Sequence, residues 1–395
     1  MLMRLLWTLG PIGLVMLNVT CVQAQSIVRR DSAGVRVIEI AASVLDALPT
    51  WRLEGPTTRI EPAMGGVEYA FNHASSPWQL EDGRIVVAND QVELRFFDAG
   101  GRYLTTVARR GRGPGEYEQL LRVFRGPGDT LLAWDVPTDR IDVRDRNGKL
   151  VRAFKIPNTL MFAGLGGRGP VFAPYQRPDL QKPGVHQDTI VLQQLRNDGT
   201  TGGVVARLPG SWNDVGRASG GSTWRGLMLS GSPMLAGGTH GSVFVHGDEF
   251  TAYWFGDGGR LAAISRVRFP RARVTEADRR DDEQRWRDQL ARNTRIRVDP
   301  GQPAPVYATW RPQVTRVVVD GEGRAWLQRW TRYESRMAEW IVLEPFGAPI
   351  ARITMPAAFI PNDIAADYVL GILPDDDGVQ SVHRYGLVRS GASRK

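Results

Sequence analysis

Asn89, Asp90, Asp135 and Asp248 offer the hard oxygen donors that hold a calcium ion, and Glu116 adds a carboxylate beside Arg109, Arg110 and Arg112. A cation held by Asp90, Asp135 and Asp248, with Glu116 beside it, would suit metal-dependent hydrolysis. Asp and Asn at loop positions also make turns through their own side chains, and that role needs no metal. Arg110, Arg112, Glu116 and Tyr117 belong to the run Arg109-Arg110-Gly111-Arg112-Gly113-Pro114-Gly115-Glu116-Tyr117. Its glycines and proline turn the chain sharply, which can present backbone N–H groups to a carboxylate or phosphate. The same run can serve as a connector only, with Glu116 accepting those N–H groups. Trp330, beside Arg329 and Arg332, offers a flat face for stacking on a sugar or cyclic ligand. Trp326 and Trp340 in the same stretch suit the space between sheets.

Other chemistries find less support. His73, His186, His240, His246 and His383 are scattered, with no His-Glu-x-x-His or other close pair for zinc. The stretch Leu229-Ser230-Gly231-Ser232 lacks the flanking glycines of a serine nucleophile elbow. The one cysteine is Cys21, so a disulfide framework is excluded.

The elements that would position these residues recur. Residues 83–107, 128–156 and 241–267 each read as a short apolar strand, an alternating strand, an Asp/Gly turn followed by Arg or Lys, and a third strand. In the second copy Arg140, Asp142 and Arg144 alternate with Ile141 and Val143, the period of a strand with one buried face. Radially arranged four-stranded sheets produce a repeat of this size. The turn glycines Gly101, Gly148, Gly199 and Gly259 are 47, 51 and 60 residues apart, and Gly347 follows 88 residues later. The long interval holds a charged helical insertion, Thr275 to Arg295, that reads as a lid, a partner contact or a surface excursion docked by Trp286. Units are expected to begin near residues 75, 118, 160, 226 and 310. A sixth would combine Asp367 to Ile372 and Val379 to Val388 with N-terminal strands at Val35 to Ile40 and Trp51 to Leu53, closing the ring. Arg177 to Gly184 and Pro209 to Gly221 read as long loops.

The Val107 to Tyr117 segment, with its G-x-G-P-G-E-Y pattern, resembles the linkers of NHL-repeat β-propellers, most closely over residues 75–156 and again over 238–267. The whole chain is similar to bacterial exported six-bladed β-propellers. The resemblance implies the fold and leaves activity open. Two enzyme comparisons follow from it: six-bladed lactonases, which hold a calcium-type ion in the channel, and an NHL-type lyase that uses zinc.

Residues 1–24 read as a secretory signal, with Arg4, an apolar stretch from Leu5 to Leu17 and Val22-Gln23-Ala24 before the cut. Export to the periplasm or outside the cell is expected, with a lipoprotein anchored through Cys21 as the alternative and the only route to a membrane. The formal charge of +8 is spread as arginine among acids, which does not describe a nucleic-acid surface.

The expectation is an all-β, six-bladed propeller over residues 25–395, monomeric, exported and acting as a binding scaffold for a protein, peptide or glycan. Its face around the channel would carry His73, Asn89, Asp90, Arg110, Arg112, Glu116, Tyr117, Asp135, His246, Asp248, Glu249, Arg311, Arg329, Trp330, Asn362 and Asp363. No cofactor is expected. Under the alternative reading, a metal-dependent hydrolase or lactonase, Asp90, Asp135 and Asp248 would hold Ca2+.

Overall fold

A computed structural model describes residues 26–390 apart from 157–159, 167–168, 177–181, 197, 219–220, 239–240, 257–258 and 293–303. The expected leader, Cys21 and His240 lie outside the described residues, as does most of the loop expected at Arg177 to Gly184. Among the described residues no helix is long and apolar enough to cross a membrane.

Strands dominate. β1 (Ile27–Ser32), β2 (Val35–Ala41) and β3 (Thr50–Ile60) precede a four-stranded antiparallel sheet of β4 (Ser75–Gln79), β5 (Ile85–Asn89), β6 (Glu93–Phe97) and β7 (Tyr103–Val107). β8 (Leu120–Arg125), β9 (Leu131–Asp135), β10 (Arg140–Arg144) and β11 (Leu150–Lys155) repeat it. A five-stranded sheet holds β12 (Leu160–Gly166), β13 (Gly169–Gln176), β14 (Gly184–Leu195), β15 (Thr201–Ala218) and β16 (Gly221–Gly226). β17 (Pro233–Gly238), β18 (Gly241–His246), β19 (Thr251–Phe255) and β20 (Leu261–Arg268) gain β2 and β1 at one edge to make six strands. After α1 (Glu276–Arg292) come β21 (Val314–Val319), β22 (Ala325–Arg329), β23 (Met337–Leu343) and β24 (Pro349–Pro356), then β25 (Ile360–Ile364), β26 (Tyr368–Pro374) and β27 (Gln380–Val388). β3 joins these last two groups into one eight-stranded sheet.

Successive sheets bury both faces against each other. β5 is buried throughout: Ile85 and Val87 pack with Ile60, Tyr368, Leu370 and Ile372, while Val86 and Ala88 pack with Leu120, Val123, Leu131 and Ala133. A period of two with two apolar faces therefore places one sheet between two neighbours. Trp326 and Trp340 are fully buried with Trp51, the inter-sheet role expected of them.

The turn glycines make the same contact repeatedly. Gly101, Gly148, Gly199 and Gly259 have φ of 89, 78, 87 and 78°. A Cβ on each would meet the outer strand of a neighbouring sheet: the Arg59 carbonyl oxygen at 2.9 Å, Val107 at 2.7 Å, the Lys155 carbonyl oxygen at 2.0 Å and Val205 at 2.7 Å. Glycine is required there both for its backbone angle and for close approach. The first of these contacts ties the β4–β7 sheet to β3, so the N-terminal sheet lies against the C-terminal one. The first strands follow the same arrangement, with β4 touching β8 and β25, β25 touching β21, β21 touching β17, and β17 touching β12.

Four expectations are corrected. The Val35 to Ile40 strand pairs in parallel with β20 instead of completing the last sheet, because Ile38 and Ile40 fill the core around Val243 and Val245. The Trp51 to Leu53 segment does join that sheet, through β3 and β27. The polar face of β10 is buried, with Asp142 at 0% and Arg144 at 4% exposure, because the glycine-rich loop covers it. Pro209 to Ala218 continues β15 rather than forming a loop, pairing with β14 and, from Asn213 on, with β16. Finally, α1 is not docked by Trp286, which is 43% exposed. Its first two turns dock through carboxylates: Asp278 accepts bonds from Arg311 (2.6 Å) and Arg332 (3.1 Å), and Asp281 accepts the Tyr333 and Glu334 N–H groups.

Candidate functional site

Three loops converge on one face. Gln91 from the β5–β6 turn, Arg110, Gly111, Glu118 and Gln119 from the β7–β8 connection, and Pro137 from the β9–β10 turn line an open groove of about 490 Å³. The loop between them is held from within. Gly111 N–H donates to the Tyr117 carbonyl (3.1 Å), Tyr117 N–H to that of Arg109 (2.9 Å), and Gly113 N–H to Glu116 Oε2 (3.0 Å). A Cβ on Gly111 would lie 2.1 Å from Glu116 Oε2, so this carboxylate can fold back only against glycine. A hydrogen bond from Arg109 (2.9 Å), then that of Gly113, hold the Glu116 carboxyl below its ordinary value. Arg112 donates to Glu118 (2.7 Å). These bonds match the connector reading of the loop: the N–H groups of Gly111, Gly113 and Tyr117 already have acceptors inside it.

Arg110 differs from its neighbours. It is exposed, lines the groove, and among the described residues its guanidinium has no hydrogen bond or ion pair.

Beneath the loop, β10 supplies its support. Arg140 donates to the carbonyls of Arg112 (3.2 Å) and Glu116, and Arg144 to that of Gly115 (2.8 Å) and to the Tyr117 hydroxyl (2.7 Å). Asp142 lies between the two guanidiniums, 3.0 Å from Arg140 and 3.7 Å from Arg144. Burial pushes the Asp142 carboxyl up and the arginines pull against it; burial also pushes the Tyr117 phenol up. Tyr117 is thus a buried anchor of the loop, not a surface ligand contact.

The oxygen donors expected to hold calcium do something else. Asn89 accepts the His73 N–H (3.4 Å), Asp135 Oδ1 accepts those of Glu118 (3.2 Å) and Gln119 (2.8 Å), and Asp248 Oδ1 accepts that of Gly231 (2.7 Å). Each clamps the segment that enters the first strand of its sheet. The remaining oxygens are also engaged, Asp135 Oδ2 by Thr138 (2.6 Å) and Asp248 Oδ2 by the Trp212 indole N–H (2.7 Å). Asp90 is exposed with φ 51°, the left-handed turn role open to Asp. Asp90, Asp135 and Asp248 are not brought together, and among the described residues no group of three or more metal-ligating side chains forms. His246 is buried near Gly210 (2.9 Å to its carbonyl), and Asn362 and Asp363 tie β25 to β4 by bonding Pro77 (2.8 Å) and Gln79 (2.9 Å).

Arg329 and Trp330 form a separate surface. Arg329 is paired with Glu339 (2.6 Å) and lies over the Phe269 ring, and Arg311 lies 5.0 Å from the Trp330 ring centroid. Arg311 is fixed there by Asp278. Burial alone would raise the Asp278 carboxyl, but bonds from Thr275, Arg311 and Arg332 outweigh it and hold it at about 2. Thr275 and Asp278 also cap each other at the start of α1, Thr275 N–H to Asp278 at 2.8 Å and Asp278 N–H to Thr275 at 3.3 Å.

Sequence reasoning missed Gln91, Glu118, Gln119 and Pro137 in the groove and Asp278 at the helix. The four groove residues flank noted positions and follow from the rule that loops entering first strands share a face with the second-to-third turns.

No family model matches the chain, and no curated protein matches it. Solved structures do. A presumed exported protein from Bacteroides fragilis is 11% identical, with 90% of this chain and 99% of that one aligned and a TM-score of 0.50. Virginiamycin B lyase from Staphylococcus aureus is 10% identical over 80% of each chain, with a TM-score of 0.37. Regucalcin, a calcium-binding protein from Agrobacterium tumefaciens, is 14% identical over 86% of this chain and 96% of that one, with a TM-score of 0.37. The fold is β-propeller-like, and likeness at such identities speaks to fold alone.

Proposed function

We propose that the chain is an exported binding scaffold, a six-bladed propeller of NHL-like type, that recognises a protein, peptide or glycan at the groove around Arg110. The observation that carries this reading is the contrast between Arg110 and the acids around it. Arg110 offers an unpaired guanidinium in an open groove, while Asp135, Asp248 and Glu116 spend their oxygens on the chain's own N–H groups and arginines. A cleft with one cation unpaired among the described residues and the polar side chains Gln91, Glu118 and Gln119 suits recognition of a ligand bearing a carboxylate or similar acceptor. The six-unit ring is supported by the Gly101 contact with β3 and by the chain of touching first strands. Export is supported by the character of residues 1–24 and by the likeness to the exported protein of Bacteroides fragilis.

Peptide and glycan arrays probed with wild type and with Arg110→Glu test it. Ligands held by wild type and lost by the variant are the expected result. An array on which both proteins hold the same ligands equally would move recognition to another surface.

A further inference from the structure

We propose that residues 271–273 form a recognition edge for an acidic peptide, which adds to it as a strand and sets its carboxylates against Arg271 and Arg273. The edge is separate from the groove of Arg110 and does not rest on the reading given there.

The connection from β20 to α1 runs beside the segment that enters β21. Arg311 N–H donates to the Ala272 carbonyl (2.9 Å) and Val274 N–H to that of Thr309 (3.0 Å), and between these bonds Arg273 pairs in antiparallel register with Trp310. A pair flanked in this way is a non-hydrogen-bonded one: its side chains approach closely, and its own N–H and C=O groups point to the opposite edges. The Arg273 guanidinium accordingly lies 4.9 Å from the Trp310 ring centroid, and that of Arg271, two residues earlier and on the same face, lies at 5.2 Å. Among the described residues the backbone N–H and C=O groups of Arg271 and Arg273 have no hydrogen-bond partner, and residues 271–273 are all exposed. A short strand edge is therefore open, bounded by Pro270, which has no N–H, and by the start of α1 at Glu276.

Charge selects the strand that can use this edge. Neither guanidinium has a hydrogen bond or ion pair among the described residues. The indole holds both cations through its ring, an attraction that leaves their N–H groups available to an acceptor. Like charges directly opposite each other are unfavourable, so the two arginines turn away a basic strand and a second copy of themselves. An added strand repeats its side chains with the same period of two residues, about 7 Å. Carboxylates at every second position then fall opposite Arg271 and Arg273, and guanidinium forks match their oxygen pairs. Main-chain bonds supply affinity and the two arginines supply selectivity, the division seen when peptides extend a sheet.

The test is fluorescence anisotropy of a labelled short peptide that alternates threonine and glutamate and is blocked at both ends. Saturable binding is expected, weakened by about tenfold or more in Arg271→Gln and in Arg273→Gln and unchanged in Arg102→Gln. Trp310→Leu keeps both charges but releases the guanidiniums, and it should weaken binding too. Two altered peptides, one with glutamine for glutamate and one N-methylated at the bonding positions, should each bind about tenfold more weakly or worse. Hydrogen exchange at the Arg273 amide should slow when the acidic peptide is bound. Absence of saturable binding, equal affinity in the Arg271 and Arg273 variants, or loss in Arg110→Gln alone would overturn the proposal. So would an N-methylated peptide or a uronate oligosaccharide that binds as tightly as the acidic peptide.

Discussion

Asp135 stands in its sheet where Asn89 stands in the one before it. Each closes the second strand and accepts backbone N–H groups of the segment that enters the first, His73 for Asn89 and Glu118 and Gln119 for Asp135. Asp135 is fully buried, so Asp135→Ala would strand two N–H donors. A loss of about 1–3 kcal/mol is expected from urea unfolding. Asp135→Asn keeps one acceptor and should lose less.

Calcium should leave the protein unchanged. Asp135 and Asp248 already use their oxygens on N–H and O–H donors, and Asp90 stands apart from them in a turn. Adding Ca2+ should shift the melting temperature no more than an equal ionic strength of sodium chloride. A saturable rise would contradict the clamp role of these carboxylates.

The charged layer under the groove should be sensitive to single changes. Asp142→Ala leaves the buried Arg144 and the partly buried Arg140 without their shared carboxylate, with an expected loss of about 3–5 kcal/mol. Tyr117→Phe removes one acceptor from Arg144 and should cost about 1–3 kcal/mol. Chemical denaturation ranks the two, and the reverse order would show that the loop is held by the Tyr117 hydroxyl more than by the ion pairs.

Docking of α1 should depend on acid. The Asp278 carboxyl is held at about 2, below the ordinary 3.8. A depressed carboxyl contributes stability that is complete above its unfolded value and lost as pH falls through the folded one. The window therefore runs from about pH 4 down to about pH 2, and the contribution is about 2 kcal/mol. Asp278→Ala should remove it at neutral pH as well, opening Arg279, Arg280, Arg285 and Arg287 to trypsin. A digestion pattern equal to wild type would show that other contacts hold the helix.

Much of the fold is legible in the residues. Apolar runs such as Ile85 to Ala88 and the turns at Gly101, Gly148, Gly199 and Gly259 mark where the strands start and stop, because positive φ and close approach both demand glycine. Partner choice is less legible: Val35 to Ile40 reads equally well beside β27 or β20, and the tertiary core decides. The site is half legible. The Arg109 to Tyr117 loop stands out by composition, yet whether an Asp in a loop holds a cation or an N–H depends on what faces it. The pattern Arg140-Ile141-Asp142-Val143-Arg144 suggests an exposed polar face, and only the covering loop turns that face into an interior.

The most direct test of the account is the affinity of the tightest array ligand for wild type, Arg110→Gln and Arg102→Gln. Arg102 is an exposed arginine on the distant turn beside Asp98, outside the groove. About tenfold or greater weakening is expected for Arg110→Gln and no change for Arg102→Gln. Equal affinity of all three proteins would contradict a binding site built on Arg110.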